Sequence, residues 1–117
     1  MEIRRLLVNE VVLVSSDRLG SGDDKLGVIL MSSFLRLLGQ REELPKFLVL
    51  WNGGVKLAAR DTETVDFVKA LEDKGVKVIL CRTCLEYFGL EDSLGAGEID
   101  GMVRIQEILA GHSVLTV

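Results

Sequence analysis

"VVLVSS", residues 11–16, is an unbroken apolar, β-branched run that stops at "DRLGSGDD". A strand with one wet face alternates apolar and polar residues, whereas a strand covered on both faces reads as continuous Val, Ile and Leu. The run therefore predicts a central strand of a parallel sheet. Working outward, the same unit recurs. A helix over 24–38 opens on Ser21-x-x-Asp24 as a capping-type signal and closes at Gly39, and "FLVLWN" (47–52) is the next strand, ended by Asn52-Gly53-Gly54. "DTETVDFVKALEDKG" puts Val65, Val68 and Leu71 on one helical face and Gly75 at its end, before "VKVILC" forms a third strand. "MVRIQEILAG" and "HSVLTV" add a helix and a last strand. Alternating strands and helices give right-handed crossovers, so the expected fold class is α/β. The architecture is a three-layer α/β/α sandwich around a mostly parallel sheet of four to five strands, with any site outside the strands' carboxyl ends.

A chain of 117 residues has room for one core. Residues 1–10 read as an N-terminal extension and 11–117 as a single domain. Apolar residues make up 48% of the chain and charged ones 27%, which is ample for a core and unlike a disordered segment. The net charge of −4, with no clustered Lys and Arg, argues against nucleic acid as a partner. Asn9 and Glu10 interrupt the first apolar run too early for a spanning helix or a signal peptide, so no membrane partner and a cytoplasmic location are expected.

The chain has two cysteines, Cys81 and Cys84, in a C-x-x-C spacing. In a reducing compartment that spacing points to redox, sulfur or metal chemistry rather than to a structural staple. Thr83-x-x-Glu86 has the form of a capping box, which makes Thr83 the N-cap, Cys84 the first helical residue and Cys81 the last of the strand. Free N–H groups at a helix start, together with Arg82, favour a thiolate and so a lowered pKa on at least one cysteine. The plain alternative is that both thiols are small core residues. Zinc needs four ligands, and the single histidine, His112, stands far along the chain without a second C-x-x-C; no metal is expected. His112 reads as a polar residue of the turn after Gly111. Gly20-x-Gly22 is a weak nucleotide signal, because Asp23 and Asp24 would repel a phosphate there. A thioredoxin-like dithiol is the obvious rival, but the motif lies late in the chain and the sole proline, Pro45, precedes a strand.

"SSDRLGSGDDKLGVILMSSFLRLLG", "LPKFLVLWNGGVKLA", "LEDKGVKVILCRTCLEYFGL" and "GEIDGMVRIQEILAGHSVLTV" together resemble the DsrE-like sulfurtransferase superfamily over about residues 11–117. The resemblance is greatest to the C-terminal domain of YedF-like proteins of selenium metabolism. It implies a sulfurtransferase-like persulfide carrier in sulfur or selenium trafficking. Cys81 would be the acceptor thiolate and Cys84 the second cysteine of the YedF-like branch, with no cofactor. Asn52, Gly53, Gly54, Arg82 and Thr83 would line the site, with backbone N–H groups of the glycine turn as an anion cradle. Implied partners are a donor or acceptor protein or small thiol, and copies of the chain itself. Residues 1–10 are too few for the sulfur-carrier domain that precedes this one in YedF-like proteins. A non-catalytic oligomeric module and a C-x-x-C dithiol redox protein remain as alternative readings. Self-association is also expected from the first helix. Leu26, Ile29, Leu30, Phe34, Leu37 and Leu38 form a stripe read as core-facing, and Val28, Met31 and Leu35 a second apolar face left outside.

Overall fold

The computed structural model describes residues 9–117; most of the N-terminal extension, residues 1–8, lies outside the described residues. Five strands, β1 (Val11–Val14), β2 (Phe47–Leu50), β3 (Lys77–Cys81), β4 (Glu98–Asp100) and β5 (Val114–Thr116), form one sheet in the order β4-β3-β2-β1-β5. Every pairing is parallel. The helices are α1 (Asp24–Leu38), α2 (Val65–Asp73), α3 (Arg82–Phe88) and α4 (Met102–Ala110), with a 3-10 helix at Asn52–Ala58. The chain steps from β1 to β4 in one direction and then returns past β1 to lay down β5. Right-handed crossovers put α4 on the face opposite the others, which is the expected sandwich.

Every residue of β1 is buried, as are Leu48, Val49 and Leu50 of β2 and Val78, Ile79, Leu80 and Cys81 of β3. Both faces of these strands are therefore covered, which explains their unbroken apolar reading. The helical share of the core comes from Met31 and Leu35, Val68 and Leu71, Leu85, and Ile105 and Ile108. Glu10 ties the start of the sheet to its far edge: its carboxylate accepts from Ser113 N–H at 3.2 Å and pairs with Lys46 at 3.1 Å.

Three local expectations need correction. Helix α1 has the predicted ends, but its cap is Asp23, whose side chain accepts from Leu26 N–H at 2.9 Å, rather than Ser21. Its faces are largely exchanged: Gly27, Met31 and Leu35 are buried, whereas Leu26, Ile29, Leu30 and Leu37 are exposed; Phe34 and Leu38 do pack against the core and Val28 does stay outside. Burial follows the line through Gly27, where an added Cβ would sit 2.9 Å from Arg18 Cβ, because a residue without a side chain lets the helix approach closely there. The third correction is at α3. Its N-cap is Cys81, in an extended conformation (φ −65°, ψ 119°), and no side chain caps it, so the Thr83 box is not formed. Strand β3 passes into α3 without a loop, which leaves Thr83 inside the first turn and exposed.

Candidate functional site at the strand ends

Three chain segments meet at the carboxyl ends of β1, β2 and β3. The first contact is forced by backbone geometry. Trp51 N–H donates to Val14 carbonyl at 3.2 Å and Trp51 Nε1–H to Ser15 Oγ at 2.9 Å, which lays the segment after β2 across the end of β1. Gly54 sits so close to β1 that an added Cβ would stand 2.2 Å from the Val14 carbonyl oxygen, and one at Gly53 3.7 Å from Ser16 Cα. The glycines thus serve a close backbone approach. Both have negative φ; the left-handed residue in the turn is Asn52, at φ 51°.

Asparagine tolerates that conformation better than most residues, because its short amide can bond locally. Here Asn52 Oδ1 accepts from Gly53 N–H at 2.8 Å, and the turn aims the Asn52 backbone N–H at Cys84 Sγ, 3.0 Å away. This joins the second segment to the third. The 3-10 helix then runs alongside α3, where Lys56 Nζ lies 4.6 Å from the Phe88 ring centroid, one turn beyond Cys84.

The two thiols are free and unequal. Cys81, which as the acceptor thiolate would have to face solvent, is only 2% exposed and belongs to the core cluster; Cys84 is half-buried and is the outer of the pair. A strand that ends inside the sheet keeps its last side chain under the following turn, whereas a residue in the first turn of the helix stands above it. The predicted lowering of a thiol pKa does not hold for Cys84. Burial pushes its thiol up, a side-chain hydrogen bond with Cys81 raises it further, and the Asn52 N–H pulls the other way without prevailing. The two thiols therefore act on each other's charge, and at neutral pH the proton stays on Cys84.

That direction gives an expected outcome. Alkylation of Cys84 in the folded protein should go on accelerating with pH above the range in which an ordinary cysteine has levelled off. Cys81→Ala removes both raising causes that come from Cys81 and leaves burial in place, so the midpoint should move down but stay elevated. A parent midpoint below that of a free cysteine, measured from labelling rate against pH, would contradict the assignment.

The other expected lining residues divide. Asn52 and Gly54 are placed as predicted at the turn, Asn52 as the donor to sulfur and Gly54 as the close contact. Gly53 turns its N–H to the Asn52 side chain, so the expected cradle offers a single N–H to the thiols rather than three. Arg82 is exposed and its Nη1 lies near Gly101, where an added Cβ would be 3.7 Å away, at the start of α4. His112 stands at the opposite end of the sheet, with Nδ1 2.8 Å from the Ile108 carbonyl and its ring against Phe47, and plays no part here. Asp24 pairs with Arg18 at 3.3 Å, and Asp23 is spent as the α1 cap; the region around Gly20 and Gly22 is a capped turn. Ser15 and Trp51 were missed as site residues. Their only signal is position, at the ends of two strands that prove to be neighbours. Among the described residues no group of three or more His, Cys, Asp or Glu side chains could hold a metal ion, and no helix is long and apolar enough to cross a membrane.

The chain resembles solved structures over nearly its whole length. A protein of unknown function from Methanobacterium thermoautotrophicum, MTH1491, is 24% identical, with a TM-score of 0.64 over 92% of this chain and 96% of that one. The ychN protein from E. coli is 20% identical, with a TM-score of 0.64 over 94% and 100%. BT1422 from Bacteroides thetaiotaomicron, also of unknown function, is 22% identical, with a TM-score of 0.60 over 92% and 95%. At these identities the likeness establishes the α/β fold alone. None of the curated proteins compared matches the chain. The model of the DsrE/DsrF-like family matches residues 21–117, a span that starts after β1 and takes in the glycine turn and both cysteines. The chain belongs to the DsrE/DsrF-like family.

Proposed function

We propose that the protein is a sulfur-relay protein whose Cys81–Cys84 pair takes up sulfane sulfur as a persulfide and hands it to an acceptor thiol. The observation that carries this reading is the outer thiol, Cys84, in the first turn of the helix that Cys81 begins and facing a backbone N–H donor, Asn52, at 3.0 Å. Exposure reverses the order expected of the two cysteines: sulfur arrives at Cys84, and Cys81 is the inner thiol. Ionised Cys84 attacks the terminal sulfur of a donor persulfide, the donor's S–S bond breaks, and the donor leaves as a thiolate. The Asn52 N–H then faces the newly modified Sγ, where it favours negative charge. No metal or organic cofactor takes part. In our reading the chain is YedF-like and works in a reducing cytoplasm, with selenium in place of sulfur as a second cargo.

Incubating the reduced protein with a small persulfide and weighing it intact should show a gain of one sulfur, removed again by added thiol. Cys84→Ala should not gain it. A parent chain and a Cys81→Ala variant that both take up no sulfur would end the relay reading.

Self-association belongs to the same proposal. Leu26, Ile29, Leu30 and Leu37 line one exposed side of α1, the kind of apolar face that a second copy covers. Ile29→Asp should lower the sedimentation coefficient of the parent without unfolding it; a parent that is strictly monomeric at micromolar concentration would remove this part.

A further inference from the structure

We propose that the pair does more than carry sulfur: it reduces it, releasing hydrogen sulfide and closing a disulfide between Cys81 and Cys84. This inference rests on the relay reading above and adds a second step to it. A persulfide on Cys84 has two electrophilic sulfurs, and the one attacked decides the outcome. Attack on the outer sulfur by an external thiol passes the sulfur on. Attack on the inner sulfur, Cys84 Sγ, expels it as sulfide.

Three features of the site favour the second course when no acceptor is present. Cys81 is the N-cap of α3 and Cys84 stands three residues on in its first turn, so its attack is intramolecular and has the advantage of a nucleophile already in place. Cys81 is also 2% exposed, so it has little access to external partners, and the other cysteine of the chain is Cys84. The Asn52 N–H points at the inner sulfur itself, 3.0 Å away, and draws electron density from the atom to be attacked. The backbone conformation that aims it, φ 51° at Asn52, is one that a side-chain-bearing residue adopts rarely.

The step balances without an added oxidant. The Cys81 thiol and the Cys84 persulfide, each carrying one proton on sulfur, give the Cys81–Cys84 disulfide and one hydrogen sulfide. The Cys81 proton ends on the departing sulfide, the sulfane sulfur takes up two electrons, and the two cysteine sulfurs lose them. Restoring the dithiol requires a reductant of the dithiol class. The reaction to be placed upstream is therefore one that makes persulfides, and the one downstream a thiol–disulfide exchange.

The test starts from the reduced, full-length chain treated with inorganic polysulfide, freed of excess reagent and held without thiol. The parent should release one sulfide for each persulfide lost and finish two hydrogens lighter than the reduced chain, with a peptide pair linked through Cys81 and Cys84. Cys81→Ala should keep its persulfide on Cys84 and release sulfide at least about tenfold more slowly. A parent that holds its persulfide until thiol is added, or that loses sulfide without forming the disulfide, would overturn the inference and leave the relay intact. Release from Cys81→Ala at the parent's rate would do the same. If neither chain ever gains sulfur, the relay reading falls and this one with it. The parent's own disulfide is the second measurement, and it stands even if Cys81→Ala folds poorly.

Discussion

Gly54→Ala should cost about 3 kcal/mol of stability or more, the upper end of what forcing an added methyl into a closed space costs. The new Cβ would stand 2.2 Å from the carbonyl oxygen and 2.9 Å from the carbonyl carbon of Val14. Both are backbone atoms, and Val14 is the fully buried last residue of β1, so no flexible side chain can swing away. Either the sheet or the turn must move. The turn is the weaker partner, since its 3-10 helix is held to β1 by the Trp51 bonds to Val14 and Ser15. Moving it carries Asn52 off Cys84. Two readouts should change together: a melting temperature lower by many degrees and faster alkylation of Cys84. An alanine variant with the parent's melting temperature and labelling rate would show that the turn does not depend on this approach.

The second large effect separates two residues of one helix. Leu35 is 0% exposed and Ile29 is 65% exposed. Leu35→Ala should cost roughly 2–5 kcal/mol, because it leaves a cavity between α1 and the sheet. Ile29→Ala should change the stability of the monomer by no more than about 0.5 kcal/mol. Chemical denaturation of both variants checks the pair. Equal costs would mean that the helix does not face the core through Met31 and Leu35.

That comparison marks where reading the sequence stopped working. The ends of α1 were legible, because Asp24 opens it and Gly39 ends it. Its orientation was not, because apolar residues stand on every side, and the bulkier stripe is the exposed one. Gly27, which adds nothing to a count of apolar surface, lies on the buried side and lets the helix approach the loop at Arg18 and Leu19. The buried strands were legible as unbroken apolar runs. Strand β4 was not: "EID" is three residues long, carries a charge at each end and lies at the sheet edge, so it has neither the length nor the pattern of a strand.

At the site, the pairing of the two thiols was legible from the C-x-x-C spacing, and the nearness of the glycine turn from its place at a strand's carboxyl end. The order of exposure was not. A capping box at Thr83 would have started the helix two residues later and left Cys81 as the last residue of the strand, outside the helix. The strand runs straight into the helix instead, so the first cysteine stays in the core. The bond from Asn52 to Cys84 joins residues 32 positions apart, and only the parallel pairing of β2 and β3 brings them together.

The central claim is that sulfur arrives at Cys84, and trypsin cleavage after Arg82 puts the two cysteines on separate peptides, 78–82 and 83–104. The protein should be given a small persulfide briefly, quenched at once with an alkylating agent, digested and sequenced by mass spectrometry. The prediction is that the added sulfur is found on the 83–104 peptide, at Cys84, while Cys81 on the 78–82 peptide is labelled only after denaturation. Added sulfur on the 78–82 peptide, with Cys84 unmodified, would contradict it.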